Sequence, residues 1–371
     1  MSTTTQRSIG RAWGMVANHF QPPPFHPNRP TLVAPVPIDP AGLAGPTRKQ
    51  ARGPRWRTTS HGLRVPSSVD FTVEQRIVEA AASVPSRGGA VTGWAALRWQ
   101  GGRWFEGSSV DDAHGLAVDL AMYRDIRSRP GIAICEERWE PNEVTVVDGV
   151  PITVAVRSVA FMMRRADGIR DAARAFAMGA YDDLVTRAEM TDYIGLAPRQ
   201  GLSSWTGVPQ ARKALALADE NCWSPQEVTM MLIWRLDADL PAPLMNQPIF
   251  DLTGRHIGTP DLLEVESGTL GEYDGALHLT STARSHDVGR EERYRDVGLE
   301  CFTMLAGDAS DREAMARRMR AARGRARWLP PERRAWTITP PPRWVSTVSV
   351  DQRRRLTVAQ RVSLLRYRRD G

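Results

Sequence analysis

The sequence predicts a mixed α/β (α+β) protein whose most regular part is a compact unit of about 100 residues near the C-terminus. Three observations support this fold class. A dense group of prolines between Pro22 and Pro46 disfavours regular structure at the start of the chain. Alternating apolar and polar residues at 131–157 indicate strands. The pattern of residues 222–322 predicts, in order, a helix, three strands, a helix, a strand and a helix.

Length and composition exclude several classes of protein. The 371 residues suit two modest domains at roughly 150 residues each, and 42% apolar residues can form a core. Three scattered cysteines argue against a disulfide framework or a cysteine zinc cluster. No apolar run approaches the ~18 residues of a membrane helix, and the N-terminus lacks a secretory apolar stretch. We therefore expect a cytoplasmic protein with no membrane partner.

The basic residues are unevenly distributed along the chain. The net charge is +7, yet residues 312–371 contain 17 Arg and four acids, or +13, so the rest of the chain carries −6. A basic C-terminal segment attracts phosphate, although it can equally serve as a solvated helix face. Charge alone therefore supports a nucleic-acid partner only in part.

The first two predicted segments differ in their content of core residues. Residues 1–70 are expected to form a largely irregular, proline-rich arm. Residues 71–157 are expected to form a small α+β domain, in which Thr72 caps a helix and an Asp-Gly pair at 148–149 turns a hairpin. Its order of helix, tight turn, helix and hairpin fits a winged helix, but the pattern alone favours an ordinary small α/β module.

The other predicted segments are a helical connector at 158–222, an α/β domain at 223–323 and an Arg-rich extension at 324–371. Ser224, Pro225 and Glu227 are placed to cap and open the first helix of the α/β domain. The predicted strands of that domain are Asn246–Leu252, His256–Leu263, Thr269–Asp274 and Leu299–Leu305.

Four carboxylates in this domain fall where they could meet. Glu272 and Asp274 lie two residues apart on one strand and therefore share a face, and Asp261 reaches the same end if the neighbouring strand pairs with it. Glu227 lies on the preceding helix. Crowded carboxylates raise one another's pKa unless a cation neutralises them, and Mg²⁺ prefers such oxygen ligands. A metal-held water can attack a phosphodiester.

Each of these residues also has a structural explanation. Glu227 can complete a capping box, Asp274 and the following glycine form a standard turn pair, and Asp261 can simply begin a strand. Glu272 needs a partner or a function because its strand is otherwise apolar. His278 is a lone histidine just after the strand, and such a residue is more often structural than catalytic.

Residues 224–323 resemble the PD-(D/E)xK nuclease superfamily, in the branch similar to very-short-patch-repair endonucleases. The matching segments are Ser224-Pro-Gln-Glu, Gly258-Thr-Pro-Asp-Leu-Leu, Gly271-Glu-Tyr-Asp-Gly with His278, and Asp287-Val-Gly-Arg-Glu followed by Gly298-Leu. The αβββαβ order matches the superfamily's core. Residues 71–220, joined to such a domain, look like actinobacterial proteins related to AbiEi-type antitoxins, which carry a winged helix and a helical connector.

The resemblance implies a role for each matching residue. Asp261 and Glu272 match the acidic metal ligands, and Glu227 matches the helix glutamate that completes the site. Asp274 stands where the superfamily has its Lys and cannot supply that positive charge. The branch uses histidine instead, so His278 is the candidate for handling water or phosphate. Arg290 either faces the scissile phosphate or pairs with neighbouring acids.

These observations predict a metal-dependent endonuclease that hydrolyses DNA, with Mg²⁺ or Mn²⁺ held by Asp261, Glu272 and Asp274. Arg317, Arg320 and Arg323 are the predicted phosphate contacts, with the arginine run at 353–355 as a further candidate.

Two other functions stay open at this point. One is a catalytically inactive DNA-binding regulator of the antitoxin type, with a toxin partner and with DNA contacts from residues 71–107. The other is a phage or mobile-element protein that acts through protein contacts. The sequence predicts neither the DNA form nor the oligomeric state.

Overall fold

A computed structural model shows a mixed α/β protein with several small sheets, as the sequence predicts. It describes residues 20–60, 62–85, 88–108, 115–122, 128–137, 139–195, 205–275 and 291–368. The chain divides into two compact units, residues 1–85 and 86–371. Within the described ranges, every helix is too short or too polar to cross a bilayer. All three cysteines are free thiols.

The first unit contains two small sheets in the segment expected to be irregular. Its elements are β1 Pro24–His26, β2 Arg29–Val33, β3 Val36–Pro37, α1 Arg48–Ala51, β4 Trp56–Thr58, β5 Leu63–Pro66 and α2 Val73–Ala81. β1 pairs with β2, and β5 lies between β3 and β4. Several prolines lie at strand ends, where a missing N–H is tolerated. The expectation of an irregular arm is therefore corrected for residues 24–66.

Helix α2 packs on the strands that precede it. Its N-cap is Thr72, as predicted, whose side chain accepts from the Gln75 N–H. The Gln75 amide bonds to both backbone groups of Val33, at 2.9 and 3.0 Å, and Arg57 pairs with Glu79 at 2.6 Å. Helix α2 therefore belongs to the first unit, whereas the sequence grouped it with the domain at 71–157.

The second unit begins with a five-stranded mixed sheet in the order β8-β7-β6-β10-β9. Its elements are β6 Gly89–Val91, α3 Gly93–Trp99, β7 Val118–Met122, β8 Ile132–Cys135, β9 Val144–Val147 and β10 Val150–Thr153. The predicted hairpin is confirmed: β9 and β10 pair antiparallel around Asp148 and Gly149, whose φ values are 42° and 79°. β6 pairs with β10 in parallel.

A layer of helices follows this sheet. The helices are α4 Ala155–Arg165, α5 Ile169–Tyr181, α6 Arg187–Gly195, α7 Val208–Leu217 and α8 Pro225–Leu232, which continues into a π-turn at Ile233–Asp237. Helix α8 begins as predicted, because the Ser224 side chain accepts from the Glu227 N–H and Pro225 occupies the first turn.

The C-terminal α/β region contains two further sheets. Its strands are β11 Leu244–Met245, β12 Ile249–Asp251, β13 His256–Gly258, β14 Leu262–Glu264, β15 Thr269–Asp274, β16 Glu300–Leu305 and β17 Trp336–Thr337. One sheet has the order β11-β14-β15-β16, with β11-β14-β15 antiparallel and β15-β16 parallel. The other has the order β13-β12-β17. The single strand predicted over His256–Leu263 is divided between the two sheets, and Pro260 lies at the break because it cannot donate to a ladder.

Helices and turns complete this region. They are α9, described over 291–296, α10 Arg312–Arg325, α11 Val350–Arg354 and α12 Val358–Leu364, with 3₁₀ turns at Ala306–Ser310, Pro331–Arg333 and Arg366–Arg368. A further 3₁₀ turn at Pro141–Glu143 precedes β9 in the five-stranded sheet. A buried apolar cluster joins both sheets to α9, and it includes Ile249, Leu263, Leu270, Tyr294 and Trp336. This cluster holds the ends of β14 and β15 in place.

Candidate functional site

A row of polar residues crosses the four-stranded sheet at one end of its strands. Asn246 N–H donates to the Asp261 carbonyl at 3.1 Å, which continues the β11–β14 pairing by one residue. The β14–β15 register pairs Leu262 with Gly271, so Asp261 lies across from Glu272 one position further on. Cross-strand neighbours share a face of the sheet, which brings these two carboxylates together. We call Asn246, Asp261 and Glu272 the carboxylate row.

Asp261 is held against the neighbouring strand by a backbone bond. Its Oδ2 accepts from the Tyr273 N–H at 2.7 Å, which places the carboxylate at the peptide that follows Glu272. Pro260 precedes it and ends the β13 pairing, which allows the chain to change sheets before β14 begins. The predicted juxtaposition of Asp261 and Glu272 therefore follows from the strand register.

Glu227 meets the carboxylate row through Asn246. Its Oε2 accepts from the Trp223 N–H at 2.7 Å and from Asn246 Nδ2 at 2.6 Å, and its Oε1 accepts from Ser224 Oγ at 3.0 Å. The side chain is buried. Burial and then the charge of Asp261 raise the pKa of Glu227 from 4.5 to about 8. Glu227 is therefore protonated at neutral pH.

The remaining predicted site residues are placed differently. Asp274 lies two residues beyond Glu272 on β15, on the same face and about 7 Å further along the strand. His278 and Arg290 lie outside the described residues. In the part of the chain that the structure describes, no three His, Cys, Asp or Glu side chains are grouped closely enough to hold a metal ion. The described residues thus supply carboxylates of the right chemistry for a hard divalent cation, but they do not form a complete ligand set.

The predicted phosphate contacts on α10 all have acidic neighbours. Arg317 and Arg320 approach Glu313 at 3.6 and 3.2 Å. Arg323 pairs with the buried Glu264 at 3.1 Å, and its guanidinium lies over the Trp328 ring at 4.3 Å from the centroid. Arg323 therefore has a structural role, since it joins α10 to β14.

The arginine run at 353–355 serves mainly to attach the C-terminal segment. Arg353 is fully buried and bonds to Asp183 at 2.6 Å and to the Ala180 carbonyl at 2.7 Å. Arg354 pairs with Glu189 at 2.6 Å. The interpretation of this run as a phosphate contact is therefore wrong for Arg353, which has no exposed surface.

Sequence reasoning missed a basic cleft beside the carboxylate row. The cleft has a volume of about 450 Å³ and is lined by Trp223, Arg255, His256, Ile257, Gly258, Thr259 and Arg293. The two arginines are 38 positions apart in the sequence, so no local motif could have revealed that they share a cleft. The fold brings them together because α9 packs against β13.

Comparison with known protein families, curated proteins and solved structures finds no match for this chain. The proposed function therefore rests on the geometry of the described residues.

Proposed function

We propose that residues 223–323 form a domain with a restriction-endonuclease-like core that hydrolyses DNA phosphodiester bonds with a divalent cation. The observation that carries this proposal is the strand arrangement of the four-stranded sheet, with carboxylates at adjacent ends of its two central strands. The elements α8, β11, β14, β15, α9 and β16 can be aligned with an αβββαβ order if the β12–β13 hairpin is taken as an insertion after the first strand. In this alignment β11 replaces the strand that the sequence predicted over Asn246–Leu252.

The crossover between the last two strands supports the same proposal. β15 and β16 are parallel, with six residue pairs in register from Thr269–Glu300 to Asp274–Leu305. Parallel neighbours need a crossover connection, and α9 lies in it. The antiparallel pairing of β14 with β15 places the end of β15 that carries Glu272 and Asp274 beside the start of β14, where Asp261 lies.

The carboxylate row explains why a cation would be needed. Asp261 and Glu272 are carboxylates in the place where a phosphate would have to approach. After burial, the charge of Asp261 also raises the pKa of Glu227. Mg²⁺, or Mn²⁺ in its place, would be held by Asp261 and Glu272, and Asp274 would have to approach from its position about 7 Å further along β15 to complete the predicted set. The ion would supply charge neutralisation and an activated water.

The test is cleavage of supercoiled plasmid and of a short duplex by the full chain, with Mg²⁺, Mn²⁺ or EDTA. We expect metal-dependent nicking that falls by at least roughly 100-fold in Asp261→Asn and in Glu272→Gln. Glu300→Gln is the matched control, because Glu300 lies at the opposite end of the same sheet and pairs with Arg325 at 2.6 Å. Circular dichroism of each variant checks folding.

The two possible failures have different meanings. Nicking that survives both substitutions would remove the carboxylate row from the mechanism. A complete lack of cleavage with every cation, alongside salt-sensitive DNA binding, would contradict the nuclease proposal and favour a DNA-binding regulator instead.

A further inference from the structure

We infer that the cleft between Arg255 and Arg293, the basic cleft described above, binds a backbone phosphate of a DNA strand next to the carboxylate row. This inference rests on the proposed function, since it names the surface through which the substrate is held.

The cleft is formed by three parts of the chain. Arg255 and His256 lie at the start of β13, Thr259 lies just after it, and Arg293 projects from α9. Arg293 Nε donates to the Ile257 carbonyl at 3.4 Å, so its guanidinium is directed along β13. Trp223 forms the wall next to α8. None of the described lining residues is acidic, which distinguishes this cleft from the surface of α10.

Asp251, four residues before Arg255, is engaged in its own turn. Asp251 Oδ1 accepts from Thr253 N, Thr253 Oγ1 and Arg255 N at 2.9, 2.6 and 2.9 Å. These bonds, with the hydroxyl of Thr253 first, lower the pKa of Asp251, and the charge of Arg255 contributes as well. Asp251 thus orients the β12–β13 turn that presents Arg255.

His256 supplies hydrogen bonding to the cleft, whereas the arginines supply its charge. Partial burial, and then the charge of Arg293, lower the pKa of His256, which disfavours a charged ring in the cleft. Its Nε2 lies 3.0 Å from Thr259 Oγ1, and its ring packs against that of Trp344 with centroids 5.1 Å apart. The guanidinium groups of Arg255 and Arg293 supply positive charge to the cleft, and such groups are well suited to phosphate oxygens.

Two links place the cleft next to the carboxylate row. Thr259 is two residues before Asp261, so their Cα atoms are at most about 7 Å apart. On the other side, the Trp223 N–H donates to Glu227 at 2.7 Å. The carboxylates of the row repel a phosphodiester, and the adjacent arginines offset that repulsion. An indole wall beside a cationic groove is also typical of surfaces that contact nucleic-acid strands.

The test is fluorescence anisotropy with a fluorescein-labelled 20-base-pair duplex, in EDTA and over a range of KCl concentrations. Working without a metal separates binding from cleavage, so a failure of the proposed hydrolysis leaves this result interpretable. Arg255→Ala and Arg293→Ala should each weaken binding by roughly tenfold. Each should also reduce the slope of log K against log [salt] by about 0.9, as expected for one lost phosphate contact.

Arg295→Ala is the matched control, because it removes the same charge from the same helix. Arg295 is exposed and pairs with Glu291 at 2.5 Å, and it is not among the residues that line the cleft. We expect the affinity of Arg295→Ala for the duplex, and its slope of log K against log [salt], to stay within about twofold of those of the parent chain.

Three results would overturn the inference. The first is a parent chain that does not bind the duplex. The second is an equal loss of affinity in Arg295→Ala and Arg293→Ala, which would show only a general effect of charge. The third is displacement of the duplex by inorganic phosphate beyond that caused by KCl at the same ionic strength, which would indicate a small-anion pocket instead.

Discussion

Replacing Glu227 by Gln tests the electrostatic description of the carboxylate row most directly. Glu227 accepts from Ser224 at Oε1 and from Trp223 and Asn246 at Oε2. When Glu227 is protonated, the bond to Ser224 can reverse, so that Oε1–H donates to Ser224 Oγ. A glutamine amide can make the same set of bonds, with its nitrogen in place of Oε1. Glu227→Gln therefore removes the titration with little change in shape or hydrogen bonding.

The size of the effect follows from the pKa. The unfolded carboxyl titrates near 4.5, whereas the folded one titrates at about 8. Between these values the folded state binds the extra proton, so the free energy of unfolding falls as pH rises, by about 1.4 kcal/mol per pH unit. Between pH 5 and 8 this group alone accounts for a loss on the order of 4 kcal/mol. This loss of folding free energy is complete above pH 8 and absent below pH 4.5.

The assay is urea unfolding of the parent and of Glu227→Gln at several pH values between 5 and 8.5. Subtracting the free energy of unfolding of the parent from that of Glu227→Gln at each pH removes the contribution of the titrating groups that both proteins share. We expect this difference to increase in favour of the variant as pH rises. Asp261→Asn should reduce the pH dependence of the parent, because it removes the charge that helps to raise the pKa of Glu227. Glu332→Gln, on an exposed turn, is the control. A difference that stays constant across this pH range would refute the reasoning.

Two further predictions concern stability. Gly271→Ala should lower the free energy of unfolding by about 1–3 kcal/mol, because the new Cβ would lie 2.3 Å from the Phe302 ring, which stacks on Trp234. Gly307 has open space around it, so Gly307→Ala should have little effect in the same urea assay. Arg353→Met should cost about 3–5 kcal/mol and expose the C-terminal segment to limited proteolysis, whereas the neighbouring exposed Arg355→Met should not.

Local sequence signals predicted the elements that depend on local chemistry. The N-caps at Thr72 and Ser224 and the Asp-Gly hairpin turn were found because a side chain or a left-handed residue decides each of them within four positions. The strand register that brings Asp261 opposite Glu272 was also anticipated. These predictions depended on contacts between residues close together in the sequence.

Features set by distant contacts were missed. The proline-rich segment folds into strands because its prolines occupy strand ends, and the pairing partners that make this possible lie up to about 30 residues away. The segment His256–Leu263 is divided between two sheets because β13 pairs with β12, whereas β14 pairs with β11 and β15. Strand β12 pairs in turn with β17, about 85 residues further along the chain. No periodicity within eight residues contains that information.

The charge distribution is also explained by distant partners. The +13 of the C-terminal segment and the −6 of the rest of the chain suggest a basic arm beside an acidic body. In the structure much of this charge is paired internally. Asp183 alone forms ion pairs with Arg353, Arg361 and Arg368, and these charges keep the pKa of Asp183 low despite its burial. Counting arginines therefore overestimates how much positive charge is available to DNA. What matters is where arginines line a surface without acids, and the cleft between Arg255 and Arg293 meets that condition among its described residues.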